Sequence, residues 1–306
     1  MEQQQYNTNW QRESDVEQLI ARWSGLTFSN DFIFGAVLKS NLDICRRLLQ
    51  CVLEVPIRRV ELVAPQREIS PALGAKSVRL DAYVNDDSGR VFDVEMQQSA
   101  ALQLPKRARY YQAAMDTEQL DKGADYEQLP ETFVIFFCTF DPFGRGLKRY
   151  TYRQACVEDC SFVPWDGTER VYLNAVGTNG TVNEELQGVL DYLSGHNEVG
   201  NDLVRDIKGA VTQVLSSEEK RRDFVNMELK LMDARRHAMA EGRREGLEAG
   251  RAEGRAEGRA EGRNSTLDLL AKVSAELERR GRGSELSRAV AEPEYLDALC
   301  KEFDIK

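Results

Sequence analysis

Residues 78–97, VRLDAYVNDDSGRVFDVEMQ, decide how the chain is read. Two short apolar-rich runs, Val78 to Val84 and Val91 to Gln97, flank Asn85-Asp86-Asp87-Ser88-Gly89, whose residue types favour turns and tolerate left-handed backbone. The stretch predicts a β-hairpin. Because side chains alternate along a strand, Phe92, Val94 and Met96 share one face of the second strand and Asp93, Glu95 and Gln97 share the other. With the turn occupying the residues between the runs, Asp81 comes opposite Glu95 or one diagonal step away, on the same face. Like charges placed there repel, and a cation held between them resolves the conflict.

Outward from the hairpin, Ser29-Asn30-Asp31 precedes apolar residues at helical spacing from Phe32 to Leu53, predicting two capped helices with a break near Ser40-Asn41. Asp31 reads either as a first-turn acid favoured by the helix dipole or as a third acid approaching the hairpin. Val60 to Val63 reads as a strand, followed by a loop carrying Pro65, Pro71 and Gly74. After the hairpin, Leu104-Pro105 opens a helix that runs to about Lys122 and stops at Gly123. Lys106, Arg107, Arg109 and Tyr111 crowd its first turns, either as a solvated face with tyrosines on the sheet or as phosphate and base contacts. Phe133 to Cys138 has no alternation and predicts a central strand buried on both faces, paired in parallel with a helical crossover. Leu147 to Arg153 and Arg170 to Leu173 predict further strands, and Glu184 to Leu193 a closing helix.

With 306 residues and 42% hydrophobic content, the chain can bury one sizeable core and a smaller element. The polar start lacks a secretory pattern and the longest apolar run is too short for a bilayer, so a cytoplasmic protein with no membrane partner is expected. Six cysteines without a Cys-x-x-Cys pair predict scattered free thiols, with a zinc site as the lesser alternative. His196 and His237, the only histidines, have no neighbouring ligand types, which argues against histidine-based hydrolysis. A net charge of −10 excludes a general coat for polyanions, so phosphate binding must come from local basic clusters and bound cations.

Beyond residue 200 the pattern is helical and charged, and from Gly242 to Gly262 six glycines recur every four residues within Glu-Gly-Arg-Ala repeats. Such a period drifts only about 40° per repeat around a helix, so each residue type forms a slowly winding stripe. Six interior glycines cost on the order of 6 kcal/mol relative to alanine, which makes a lone helix marginal. Either a flexible tether or close pairing of chains along the glycine stripe follows, the latter giving a homodimer or higher oligomer through 241–263. Leu267 to Arg280, Glu285 to Ala291 and Glu294 to Phe303 predict a small helical module. Four segments result: a lead-in at 1–25, a main domain at 26–200, the charged repeat segment at 201–263 and the module at 264–306.

Taken together, Asn30-Asp31-Phe32-Ile33-Phe34-Gly35, Val78 to Val84, Val94-Glu95-Met96-Gln97, Leu104-Pro105-Lys106-Arg107 with Arg109-Tyr110-Tyr111, and Thr139 to Gly144 resemble the PD-(D/E)XK nuclease family transposases, the recombination-promoting nuclease group. The likeness covers about residues 26–260, the repeat tail included. It implies a restriction-endonuclease-like α/β core, a mixed sheet flanked by helices with a helical C-terminal extension. It also implies Mg²⁺- (or Mn²⁺-) dependent cleavage of DNA and a link to recombination or transposition of mobile DNA. Asp81 would be the first acid of the motif, and Glu95-Met96-Gln97 would stand where many members of the wider superfamily carry Glu-x-Lys.

The residue types suit that chemistry. Carboxylates on Asp81 and Glu95, with the Met96 carbonyl, fit a hard cation that keeps most of its waters and shares substrate phosphates. Gln97 departs from the motif: an amide orients water or phosphate but cannot neutralise charge. A nearby cation such as Lys106 or Arg107 then compensates, or activity is low. The alternative function is a catalytically weakened nucleic-acid-binding or self-associating regulatory module.

Overall fold

The computed structural model describes residues 2–63, 78, 80–100, 103–196 and 201–305, so the loop expected around Pro65, Pro71 and Gly74 lies outside the described residues. These residues fall into two compact units, 1–229 and 230–306. The first begins with three helices, α1 (Glu2–Trp23), α2 (Asp31–Ser40) and α3 (Leu42–Leu53). Six strands follow, β1 (Val60–Leu62), β2 (Ala82–Asp86), β3 (Val91–Gln97), β4 (Thr132–Cys138), β5 (Arg149–Tyr152) and β6 (Thr168–Asn174), with α4 (Leu104–Gln119) between β3 and β4. Helices α5 (Glu184–Leu193) and α6 (Asp202–Ser216) complete it together with the start of α7 (Glu218–Arg279).

The strands form one mixed sheet in the order β1-β2-β3-β4-β6-β5. β2 and β3 are the antiparallel hairpin, while β3, β4 and β6 run parallel, β4 buried along its whole length as its unbroken apolar run requires. α4 is the crossover from β3 to β4. Neighbouring residues of β4 show which helices cover which face: Phe136 packs on Tyr111 of α4, and Phe137 packs on Phe34 of α2. Since successive side chains point to opposite faces, α4 lies on one side of the sheet and α2 on the other.

The hairpin turn is set locally. Asp86 Oδ1 accepts the N–H groups of Ser88 and Arg90, its Oδ2 binds the Arg90 guanidinium, and Gly89 takes φ +80°, where a side chain would be strained. Asp141, from the Asp-Pro-Phe-Gly run, does the same after β4, accepting from Phe143 N–H, Gly146 N–H and the Tyr150 hydroxyl. Phe143 then packs against Tyr150, Tyr152 and Tyr172. That run is thus a loop staple over the β5–β6 half of the sheet.

The N-terminal segment is no mere lead-in. Trp23 is buried, donates from Nε1 to the Leu215 carbonyl at 2.9 Å, and packs against Phe32 and Phe224. The first compact unit accordingly extends to Leu229, past the main-domain limit of 200 read from the sequence.

The glycine-rich segment forms part of one helix, α7, of 62 residues. It runs without interruption through Leu267 to Arg279. Residues 234–268 are exposed all round, and among the described residues nothing beyond the helix's own adjoining backbone lies within 4 Å of where a Cβ would stand on any of the six repeat glycines. In the second unit, the end of α7 packs Val273 and Leu277 against α8 (Leu286–Ala291) and α9 (Pro293–Phe303) through Ala289, Leu296 and Leu299. Gly281, at φ +66°, turns the chain between them.

Candidate active site

β2 begins at Ala82, opposite Val94, rather than at Val78 as its composition predicts. Continued one residue, that register sets Asp81 across from Glu95, and there side chains replace the backbone ladder. The Asp81 N–H donates to Glu95 Oε1 at 2.8 Å, and the Met96 N–H donates to Asp81 Oδ2 at 3.2 Å. Each carboxylate thereby satisfies the other strand's main chain. The cross-bonding ends the strand and fixes the two acids side by side.

Burial drives the Asp81 carboxyl well above the ordinary carboxylate range, and Glu95 beside it pushes the same way; the Met96 N–H opposes, Asp31 adds to the rise and Lys39 counters it. Glu95 is also raised by burial, held back by Arg107, the Asp81 N–H, Asp93 and Lys39. The polar face of β3 is not solvated, as alternation alone suggests. Asp93 and Glu95 are both 0% exposed, enclosed beneath α4.

Arg107 is the main cation of the site. Its Nη2 donates to Glu95 Oε2 at 2.5 Å, Nη1 to Gln97 Oε1 at 2.7 Å and Nε to the Tyr111 hydroxyl at 2.7 Å. The guanidinium lies over the rings of Tyr111 and Phe136, at 4.9 and 5.4 Å from their centroids. Gln97 turns its amide nitrogen to the Ser99 carbonyl and offers its oxygen to Arg107. A positive charge therefore stands beside the Glu-x-Gln segment although Gln97 carries none.

The remaining candidates divide. Asp31 heads α2, is exposed, and accepts the N–H of Phe32, while Asn30 caps the helix through Ile33. Its charge reaches Asp81, but it makes no hydrogen bond to the pair. Lys106 and Arg109 are exposed on α4, whereas Tyr111 is partly buried and engaged with Arg107.

Two residues of the site have no role in the sequence reading. Asp93 shares the face of Glu95 two positions on, and neither of its carboxylate oxygens has a hydrogen-bond partner among the described residues. Burial, then the neighbouring Glu95 and Asp81, raise its carboxyl well above the ordinary value, while Arg107 opposes the rise. Its position one alternation from Glu95 was the available signal. Lys39 of α2 brings Nζ to 3.5 Å from the Leu80 carbonyl, next to Asp81, and no sequence pattern links the two.

The donor set suits a small hard dication. Two carboxylates meet at the open end of β2, and both are raised by burial with too little positive charge to offset it, a tension that a bound cation relieves. Among the described residues no group of three or more acidic, histidine or cysteine side chains could hold a metal, so a cation here would depend on water and substrate oxygens for its other positions. No helix among the described residues is long and apolar enough to cross a membrane.

No curated protein and no solved structure matches the chain. The family model described as PD-(D/E)XK nuclease family transposase matches residues 28–174, which run from Phe28 ahead of α2 to the end of β6 and include the Asp81–Glu95 pair, Gln97 and Arg107. The mixed sheet between helical layers is the restriction-endonuclease-like α/β arrangement of such nucleases, and over residues 28–174 the chain is similar to the PD-(D/E)XK nuclease family transposases.

Proposed function

We propose that the chain is a Mg²⁺- or Mn²⁺-dependent endonuclease that hydrolyses phosphodiester bonds of DNA, acting in recombination or transposition of mobile DNA. The observation that carries the reading is the cross-bonded Asp81–Glu95 pair, a half-buried and a buried carboxyl held side by side at the end of a strand. Asp81, Glu95 and the Met96 carbonyl would hold the cation. When bound, it would supply an acidified water and charge stabilisation at the phosphoryl oxygens. Arg107 fixes the orientation of Glu95, and Tyr111 and Gln97 fix Arg107. Lys106 and Arg109, exposed on α4, are suited to backbone phosphates.

Cleavage of supercoiled plasmid with Mg²⁺ or Mn²⁺ tests this, comparing wild type with Asp81→Ala and Glu95→Ala. Equal cleavage by all three removes the assignment. One observation favours the weaker reading, a regulatory nucleic-acid-binding module: Arg107 occupies both Glu95 and Gln97 and would have to yield ground to a cation at Glu95. DNA binding without Asp81-dependent cleavage would support it.

The repeat segment supports self-association. Around the helix, Arg follows Gly by 100° and Glu precedes it by 100° at Gly242, Gly254, Gly258 and Gly262, whereas Leu247 follows Gly246 and Ala249 precedes Gly250. Two such helices packed on their glycine stripes therefore meet Arg against Glu on both flanks when parallel, and like against like when antiparallel. A parallel pair offsets the glycine cost that an exposed single helix bears.

A further inference from the structure

We propose that Lys39, reaching the site from the helical layer opposite Arg107, supplies the ammonium that Gln97 lacks and acts as a catalytic residue on the scissile phosphate or its attacking water. This rests on the nuclease reading above. Because β2 begins at Ala82, Asp81 stands just beyond the end of that strand, where α2 comes up against its backbone. Gly35 makes that approach close: a Cβ there would lie 3.1 Å from the Asp81 carbonyl oxygen. One helical turn on, the same face of α2 carries Lys39, with Nζ 3.5 Å from the Leu80 carbonyl.

The other cations are less suited to the task. Arg107 commits Nε, Nη1 and Nη2 to Tyr111, Gln97 and Glu95, while Lys106 and Arg109 are exposed on α4. Lys39 is a compact point charge on a flexible stem at the edge of the acidic pair. In hydrolysis the water oxygen bonds to phosphorus, the bond from phosphorus to the leaving oxygen breaks, and the proton given up by the water reaches the leaving group through solvent. Lys39 keeps its own protons throughout. Its contribution is to stabilise the negative charge that builds on the phosphoryl oxygens, which an amide cannot do.

The test uses the full chain and the plasmid assay, with wild type, Asp81→Asn, Lys39→Met, Gln97→Lys and the double variant Lys39→Met/Gln97→Lys. Mn²⁺ affinity, measured by calorimetry, reports separately on the metal site, and circular dichroism on folding. Lys39→Met is expected to lower cleavage by about 10²-fold or more with Mn²⁺ affinity little changed. Placing the lysine at the motif position by Gln97→Lys is expected to recover most of that loss. Lys39→Met cleaving as fast as wild type overturns the proposal, as does a loss that Gln97→Lys leaves untouched. Both leave the nuclease reading standing, because cleavage still depends on Asp81. A wild type with no Asp81-dependent cleavage removes that reading, and this inference with it.

Discussion

Replacing Asp93 with asparagine should stabilise the first compact unit at neutral pH, by an amount that grows as pH rises. Asp93 is 0% exposed, and its two oxygens lack hydrogen-bond partners among the described residues. Burial, Glu95 and Asp81 raise its carboxyl well above the ordinary value of 3.8. A carboxyl raised on folding makes the folded state bind more protons than the unfolded state. Its contribution is fully present below the unfolded pKa and is lost as pH climbs through the window up to the folded pKa. Within that window one retained proton gives a slope of about 1.4 kcal/mol per pH unit. Asparagine keeps the shape, carries no titrating carboxyl and removes the slope. Urea unfolding at pH 5, 6, 7 and 8 in EDTA, followed by tryptophan fluorescence, measures the difference. The asparagine variant should gain on wild type at each step until the folded pKa is passed. A constant difference across the series, or a wild type more stable at pH 8, refutes the reasoning. Saturating Mg²⁺ should stabilise wild type more at pH 8 than at pH 5, because its ligand carboxylates must be deprotonated.

Other outcomes follow from particular contacts. Arg107→Ala leaves the enclosed Glu95 without its cation; removal of one partner from a buried pair costs 3–5 kcal/mol, reduced to about 2 kcal/mol here because the Arg107 side chain is 35% exposed. Adding Glu95→Gln should restore most of that stability in a double-mutant cycle read by urea unfolding. Gly177→Ala would place a Cβ 2.7 Å from Leu147 O and Lys148 Cα, both backbone, and should lower stability by about 1–3 kcal/mol, seen as a reduced urea midpoint. Trp23→Ala should cost about 3–5 kcal/mol in the same measurement, and an unaffected core would return residues 1–25 to a detached lead-in. A chain ending at Ala240 should sediment as monomer while the full chain does not; equal masses would reduce the repeat helix to a spacer.

The sequence by itself determined the elements whose signal is local. The hairpin, the buried strand Thr132–Cys138, the break at Ser40-Asn41 and the helix Glu184–Leu193 follow from period, turn chemistry and caps, each confined to a few residues. It also put Asp81 on the face of Glu95, opposite it or one diagonal step away, and the register of Ala82 with Val94 places it directly across. Only the tertiary structure decided what surrounds that pair. Enclosure of Asp93 depends on α4 crossing over β3, Arg107 selects Glu95 because that crossover lays it there, and Lys39 arrives because Gly35 lets α2 approach Asp81 closely. Charge and burial act through space between residues far apart in the chain, and no local pattern records that distance. The helical course of the glycine repeat was likewise beyond local propensity, since the cost of its glycines is set against whatever the exposed helix meets.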